Sequence, residues 1–187
     1  MVGCSMSHRQ VRRSIAETGS HAAAIVEDDC VPAANFAHAV GEIASAISGR
    51  TAVLLYAESV GGISLRRQPV KVLAQASLYQ PTAPEALYSA LAYVVTGAAA
   101  RSLCEVDSPP YEPDRWGNYL ADGLLDQVLV AHPFAAGNGL FSSTIGHSST
   151  SLPRSLRFVL DAVPVTRRYM RQRRRDYIDR ANATNFV

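Results

Sequence analysis

The apolar residues of this chain fall in short runs, each too brief for a buried helix and each bounded by a turn or a charge. His21–Val26, Thr51–Tyr56, Ala92–Val95 and Gln127–Ala131 read as buried strands. Between them lie stretches with helical spacing. Ser7–Thr18 carries Val11 and Ile15 on one side and stops at Gly19, and Asn35–Ser48 stops at Gly49. Thr96 is placed to N-cap a helix running to about Glu105, and Arg115–Leu125 suits another after the prolines at 109, 110 and 113. Strands alternating with helices predict an α/β layered fold with a mostly parallel sheet. Ile63–Tyr79 reads as short strands around Pro69, Glu85–Leu91 as helix or loop, and Gly137–Ser151 as a Gly/Ser-rich loop.

At 187 residues, 48% of them hydrophobic and 18% charged, the chain can bury a core and is not of disordered composition. The net charge of +2 conceals an asymmetry. From Arg154 onward nine Arg face three Asp, a tail of +6; the rest carries nine bases and thirteen acids, a body of −4. We therefore expect one domain over 1–151 and a basic, mainly helical tail over 152–187. Arg167, Arg168, Arg171, Arg173, Arg174 and Arg175 lie beside Tyr169, Met170 and Tyr177. That pattern suits an anionic membrane surface or a solvated helix end. It accompanies no nucleic-acid motif, so no nucleic-acid partner is expected. The three cysteines are odd in number and form no C-x-x-C, which excludes a disulfide framework and a zinc ribbon and suits reduced thiols in the cytoplasm. Met1–Arg13 is polar and basic, so no signal peptide is expected. The most apolar stretch, Ala86–Ala100, is interrupted by Tyr88, Ser89, Thr96 and Gly97, short of the roughly 20 residues of a spanning helix. The expected location is cytoplasmic, at most peripheral at the inner membrane face.

One strand ends abruptly in three acids, Glu27-Asp28-Asp29. Adjacent carboxylates repel, and a hard divalent cation such as Mg²⁺ or Mn²⁺ relieves the repulsion. On an extended segment Glu27 and Asp29 share a face, which makes Asp29 the expected direct ligand and Glu27 its partner. An acidic turn that caps the next helix is the plainer alternative.

The block Gly3-Cys4-Ser5-Met6-Ser7-His8, then an apolar strand, then Glu27-Asp28-Asp29 resembles the family 25 glycosyltransferases, whose signature reads G-C-x-x-S-H, a helix, and a strand ending in E-D-D. That family includes the lipooligosaccharide galactosyltransferases. Ala92–Ala98 looks like the family's second block, Pro113-Asp114 its P-x-D block, and Val130–Pro133 with Phe141–Ile145 its closing blocks. The resemblance covers roughly residues 3–146. Thr144 stands where an Asp is common, and the I-N-L-x-x-x-x-x-R strand that usually comes before the first block has no counterpart after Met1.

The resemblance implies a GT-A-like, Rossmann-type fold lacking its first nucleotide-binding strand. It also implies a hexosyltransferase that moves a galactose-like sugar from a UDP-sugar to a cell-surface glycan or lipid-linked acceptor with a divalent metal. The alternative is an inactive truncated remnant or binding module of the same fold. A metal-dependent phosphohydrolase using the same carboxylates ranks behind both. The roles follow: Glu27 and Asp29 for the metal; Ser7, His8 and Asp28 for the donor phosphates; Asp114 as the base, with Glu112 and Asp107 as rivals; Trp116 as the acceptor platform. Asp114 as a helix N-cap, and Ser7 and His8 as structural residues, are the bland alternatives. Cys4 reads as a small buried residue, Tyr93 as core, and His132 and His147 as outside candidates for an imidazole ligand.

Overall fold

The structure is a computed structural model and describes residues 2–105, 111–139, 172, 176, 179–180 and 182–187. Along the chain run α1 (Val2–Thr18), β1 (Ala22–Val26), β2 (Cys30–Pro32), α2 (Phe36–Ala46) and β3 (Thr51–Leu54). Then come β4 (Ile63–Leu65), β5 (Lys71–Val72), β6 (Ser77–Tyr79), a 3-10 turn (Pro84–Ala86), β7 (Ala92–Thr96) and α3 (Gly97–Cys104). The chain closes with α4 (Trp116–Ala121), β8 (Gln127–His132), β9 (Ala136–Asn138) and β10 (Thr184–Phe186).

Six strands form the main sheet in the order β1-β7-β3-β8-β6-β5. Its interior is apolar on both faces because successive side chains point to opposite sides. Ala52 and Leu54, Tyr93 and Val95, and Val128 and Val130 enter one core with Ile15 of α1, Ala99, Ala100 and Leu103 of α3, and Trp116 and Tyr119 of α4. Val53 and Leu55, Ala92 and Val94, and Leu129 and Ala131 enter the other, with Ala39 and Ile43 of α2. Helices thus cover both faces, as the α/β reading expects.

The expected mostly parallel sheet is not what forms. Within the six-stranded sheet only β3 and β8 run parallel; β1–β7, β7–β3, β8–β6 and β6–β5 are all antiparallel. Burial on both faces makes a strand uniformly apolar whichever way it runs. Direction is set by the connections, and the hydropathy of β7 carries no record of them.

Local signals fared better. Thr96 caps α3, its hydroxyl accepting from the Ala99 amide at 3.1 Å. Gly19 and Gly49 sit at positive φ of 67° and 65°, the left-handed geometry that ends or follows a helix. α1 begins earlier than its periodicity predicts, taking in Gly3 to Met6, and α4 ends earlier, at Ala121. Of the segment beyond 151, the described end returns to the body: β10 lies parallel to β4, and Asn182 Nδ2 donates to the Tyr56 hydroxyl at 3.2 Å. The arginines at 167–175 lie outside the described residues. No described helix is long and apolar enough to cross a membrane.

Candidate functional site

The acids at the end of β1 do not form an extended segment. Asp28 and Asp29 make a turn between β1 and β2, closed by the Cys30 amide donating to the Glu27 carbonyl at 3.2 Å. The shared face expected for Glu27 and Asp29 rested on alternation along a strand, and a turn removes that alternation. Asp28 is exposed, whereas Glu27 and Asp29 are half-buried. The Gly139 amide donates to the Asp29 carbonyl at 2.8 Å, tying this turn to the end of β9.

Glu27 turns toward α1. Its Oε1 lies 3.0 Å from His8 Nε2 and 3.9 Å from the Cys4 sulfur. Cys4 and His8 stand one helical turn apart, the spacing that brings two side chains to the same face. Cys4 is exposed, not the buried filler expected of it. Burial raises its thiol pKa first, and the charges of Glu27 and Asp114 raise it further. Neither Ser7 nor His8 lies at a helix start. Ser7 is exposed and its hydroxyl donates back to the Gly3 carbonyl at 3.0 Å, while His8 is buried.

Behind His8 lies a buried polar chain. His8 Nδ1 and the Tyr93 hydroxyl share a hydrogen bond of 3.0 Å, and Arg12 Nε donates to the same phenol oxygen at 3.0 Å. With that oxygen accepting from Arg12, the phenol proton is free to donate to His8 Nδ1. His8 Nε2–H can then donate to Glu27, which satisfies every member. Burial pushes the Tyr93 phenol up to about 12, against the lowering effect of Arg12. Arg12 is 4% exposed, and no carboxylate among the described residues pairs with it. Its guanidinium donates to the Pro113 carbonyl at 3.1 Å and sits 5.5 Å from the ring centres of both Tyr93 and Tyr119. Burial works to lower its pKa, but the two tyrosines outweigh it and the net shift is upward, so it stays charged.

The 111–116 segment meets this chain from the other side. Asp114 does not cap α4; the N-cap position is Arg115. Its Oδ2 accepts from the Ser89 amide at 3.3 Å, and its Oδ1 is buried without a hydrogen-bond partner. Ser89 holds a positive φ of 86°, uncommon for a residue with a side chain, and Trp116 Nε1 donates to its carbonyl at 3.1 Å. Glu112 is paired with Arg115 at 2.8 Å. Trp116 is fully buried, edge-on to Tyr93 and Tyr119 at 5.0 and 6.2 Å between ring centres. A wholly buried indole has no face to offer a sugar, so the acceptor platform expected at Trp116 is instead a core anchor. His132 packs edge-on against Tyr79, Phe134 and Phe186 and is not part of the Cys4, His8 and Glu27 group. Asp107, Thr144 and His147 lie outside the described residues.

The fold therefore gathers Cys4, His8, Glu27 and Asp114 from three separate stretches of sequence. Sequence reading passed over Arg12 and the linking role of Tyr93. The i, i+4 spacing of Cys4, His8 and Arg12 was the available signal, once α1 is extended to Val2. The chain matches no family model, and no curated protein matches it.

Proposed function

We propose that the chain is a glycosyltransferase. It moves a hexose, galactose-like, from a UDP-sugar to a hydroxyl of a lipooligosaccharide-type glycan or lipid-linked acceptor, on a GT-A-like layered fold. The observation that carries this reading is Asp114. Its buried, unpartnered Oδ1 belongs to a carboxylate whose other oxygen is held by Ser89, and its charge reaches the Cys4–His8–Glu27 group. An unsatisfied buried oxygen calls for an explanation, and an acceptor hydroxyl that gives it a proton supplies one.

In this reading the nucleotide diphosphate lies beside the turn at Glu27–Asp29. Carboxylate oxygens are the donors that Mg²⁺ and Mn²⁺ take, so Asp29 and Glu27 fit such an ion, with Asp29 as the direct ligand and Glu27, which also bonds His8, as its partner. When bound, the ion neutralises charge on the departing diphosphate. His8 anchors Glu27, and Tyr93 with Arg12 anchors His8, so α1 and β1 hold the turn in one orientation. Ser7 and Asp28, both exposed, are free to meet donor groups from solvent. The enzyme works in the cytoplasm, and the tail arginines draw it to an anionic membrane face where lipid-linked acceptors reside.

Calorimetric titration with UDP and UDP-galactose, with and without Mn²⁺, tests the reading. Metal-dependent nucleotide binding that Asp29→Ala abolishes is the expected result. Asp114→Asn should keep nucleotide binding and lose sugar transfer. Tight UDP binding indifferent to a chelator, or no nucleotide binding at all, would overturn it.

A further inference from the structure

A thiol, an imidazole and a carboxylate converge beside the acidic turn: the ligand atoms of Cys4, His8 and Glu27 all lie within 4.8 Å of one another. We infer that these three side chains form a binding site for a borderline transition-metal ion of the zinc type, distinct from a hard cation at Asp29 and sharing only Glu27 with it. The inference does not rest on the transferase reading, because it concerns only which cation this trio selects.

Chemistry favours zinc over magnesium. Sulfur and imidazole nitrogen are poor ligands for Mg²⁺ and good ones for Zn²⁺, and a thiolate, a neutral imidazole and a carboxylate together neutralise a divalent ion. Geometry agrees. Tetrahedral zinc with ordinary bond lengths holds sulfur, nitrogen and oxygen ligands about 3.3–3.7 Å apart. Here the nitrogen–oxygen and sulfur–oxygen separations are 3.0 and 3.9 Å, so shifts of a few tenths of an ångström suffice for those two. Two ligands one helical turn apart with a third from another segment is a workable way to build three of four positions. Cys4 is exposed and the Glu27 side chain is 32% exposed, so the fourth position faces solvent, where water or a substrate oxygen can enter.

The residue behind the trio suits the role too. A metal-bound imidazole ordinarily donates its other nitrogen's proton to a fixed acceptor. Tyr93 stands 3.0 Å from His8 Nδ1, itself positioned by Arg12. On binding, the Cys4 thiol gives its proton to solvent, the imidazole proton moves from Nε2 to Nδ1 and is donated to the Tyr93 oxygen, and the phenol O–H, which pointed at Nδ1 before, rotates off it and keeps its proton.

The test is a titration of the full chain with Co²⁺ as a spectroscopic stand-in, followed by displacement with Zn²⁺. One Co²⁺ per chain with a thiolate-to-cobalt charge-transfer band, displaced by equimolar Zn²⁺ but not by a large excess of Mg²⁺, is the expected result. Cys4→Ser, at an exposed position, should fold normally, lose the band and bind Zn²⁺ at least tenfold more weakly; Glu27→Gln should also weaken binding. Asp29→Asn should leave Co²⁺ binding unchanged even if it abolishes nucleotide binding, so the two readings can fail independently. No charge-transfer band, a band that persists in Cys4→Ser, or displacement by Mg²⁺ would each overturn the inference.

Discussion

Replacing Tyr93 by Phe removes one oxygen and nothing else from a fully buried ring. That oxygen accepts from Arg12 Nε and shares a hydrogen bond with His8 Nδ1, each at 3.0 Å. Arg12 is 4% exposed and stays charged, so the loss leaves a buried cation with one donor unmet, held by the Pro113 carbonyl, the Tyr119 side chain and the ring at position 93. Stranding a buried charged donor costs about 2–3 kcal/mol, and the lost imidazole contact adds about 1 kcal/mol. We expect Tyr93→Phe to be destabilised by about 3–4 kcal/mol. With a urea slope of about 2 kcal/mol/M, the unfolding midpoint falls by about 1.5–2 M. In an Arg12→Met background no cation is left to strand, and the same change should cost only about 1 kcal/mol, a coupling of about 2–3 kcal/mol. Urea unfolding of the four proteins in the cycle, followed by Trp116 fluorescence, measures this. A midpoint within about 0.25 M of the parent for Tyr93→Phe, equivalent to about 0.5 kcal/mol at that slope, refutes the reasoning, as does an equal cost in both backgrounds.

Gly97→Ala should destabilise by about 2 kcal/mol or more, because a Cβ there would lie 2.2 Å from the Ser20 carbonyl oxygen, a backbone atom with little room to retreat; thermal unfolding reads the loss. Trp116→Ala should cost about 3–5 kcal/mol by opening a cavity between Tyr93 and Tyr119. Trp116→Phe should keep any acceptor KM unchanged while lowering Tm, and a raised KM without a loss of Tm would restore the stacking role. Burial holds the His132 imidazole below its ordinary 6.5, so its neutral form is the one the fold favours. That contribution is complete above about pH 6.5 and is lost as the pH falls below it. The Tm of the parent should drop between about pH 7 and 5 more steeply than that of His132→Phe; parallel curves would sink the assignment.

The sequence by itself determined where the long central strands and the main helices lie, though not the short strands β2, β9 and β10. Ala92–Val95 is a strand because four apolar residues without a break can be buried on both faces, and Gly97 follows a Thr that caps the next helix. It also singled out Glu27, since charge at the end of an apolar run is visible in one dimension, and Asp114, through its place in a Pro-rich loop before a helix and the family block that Pro113-Asp114 resembles. Tertiary structure decided three matters. The first was strand direction, which depends on connections rather than hydropathy and turned the expected parallel sheet mostly antiparallel. The second was the split among the three acids, because a turn at Asp28–Asp29 sends Glu27 toward His8 instead of aligning it with Asp29. The third was burial, which took Trp116 from a sugar platform into the core and left Cys4 at the surface beside His8. Residues 4, 8, 27, 93 and 114 are neighbours only once the chain is folded, and the order of letters does not encode a distance between segments that far apart.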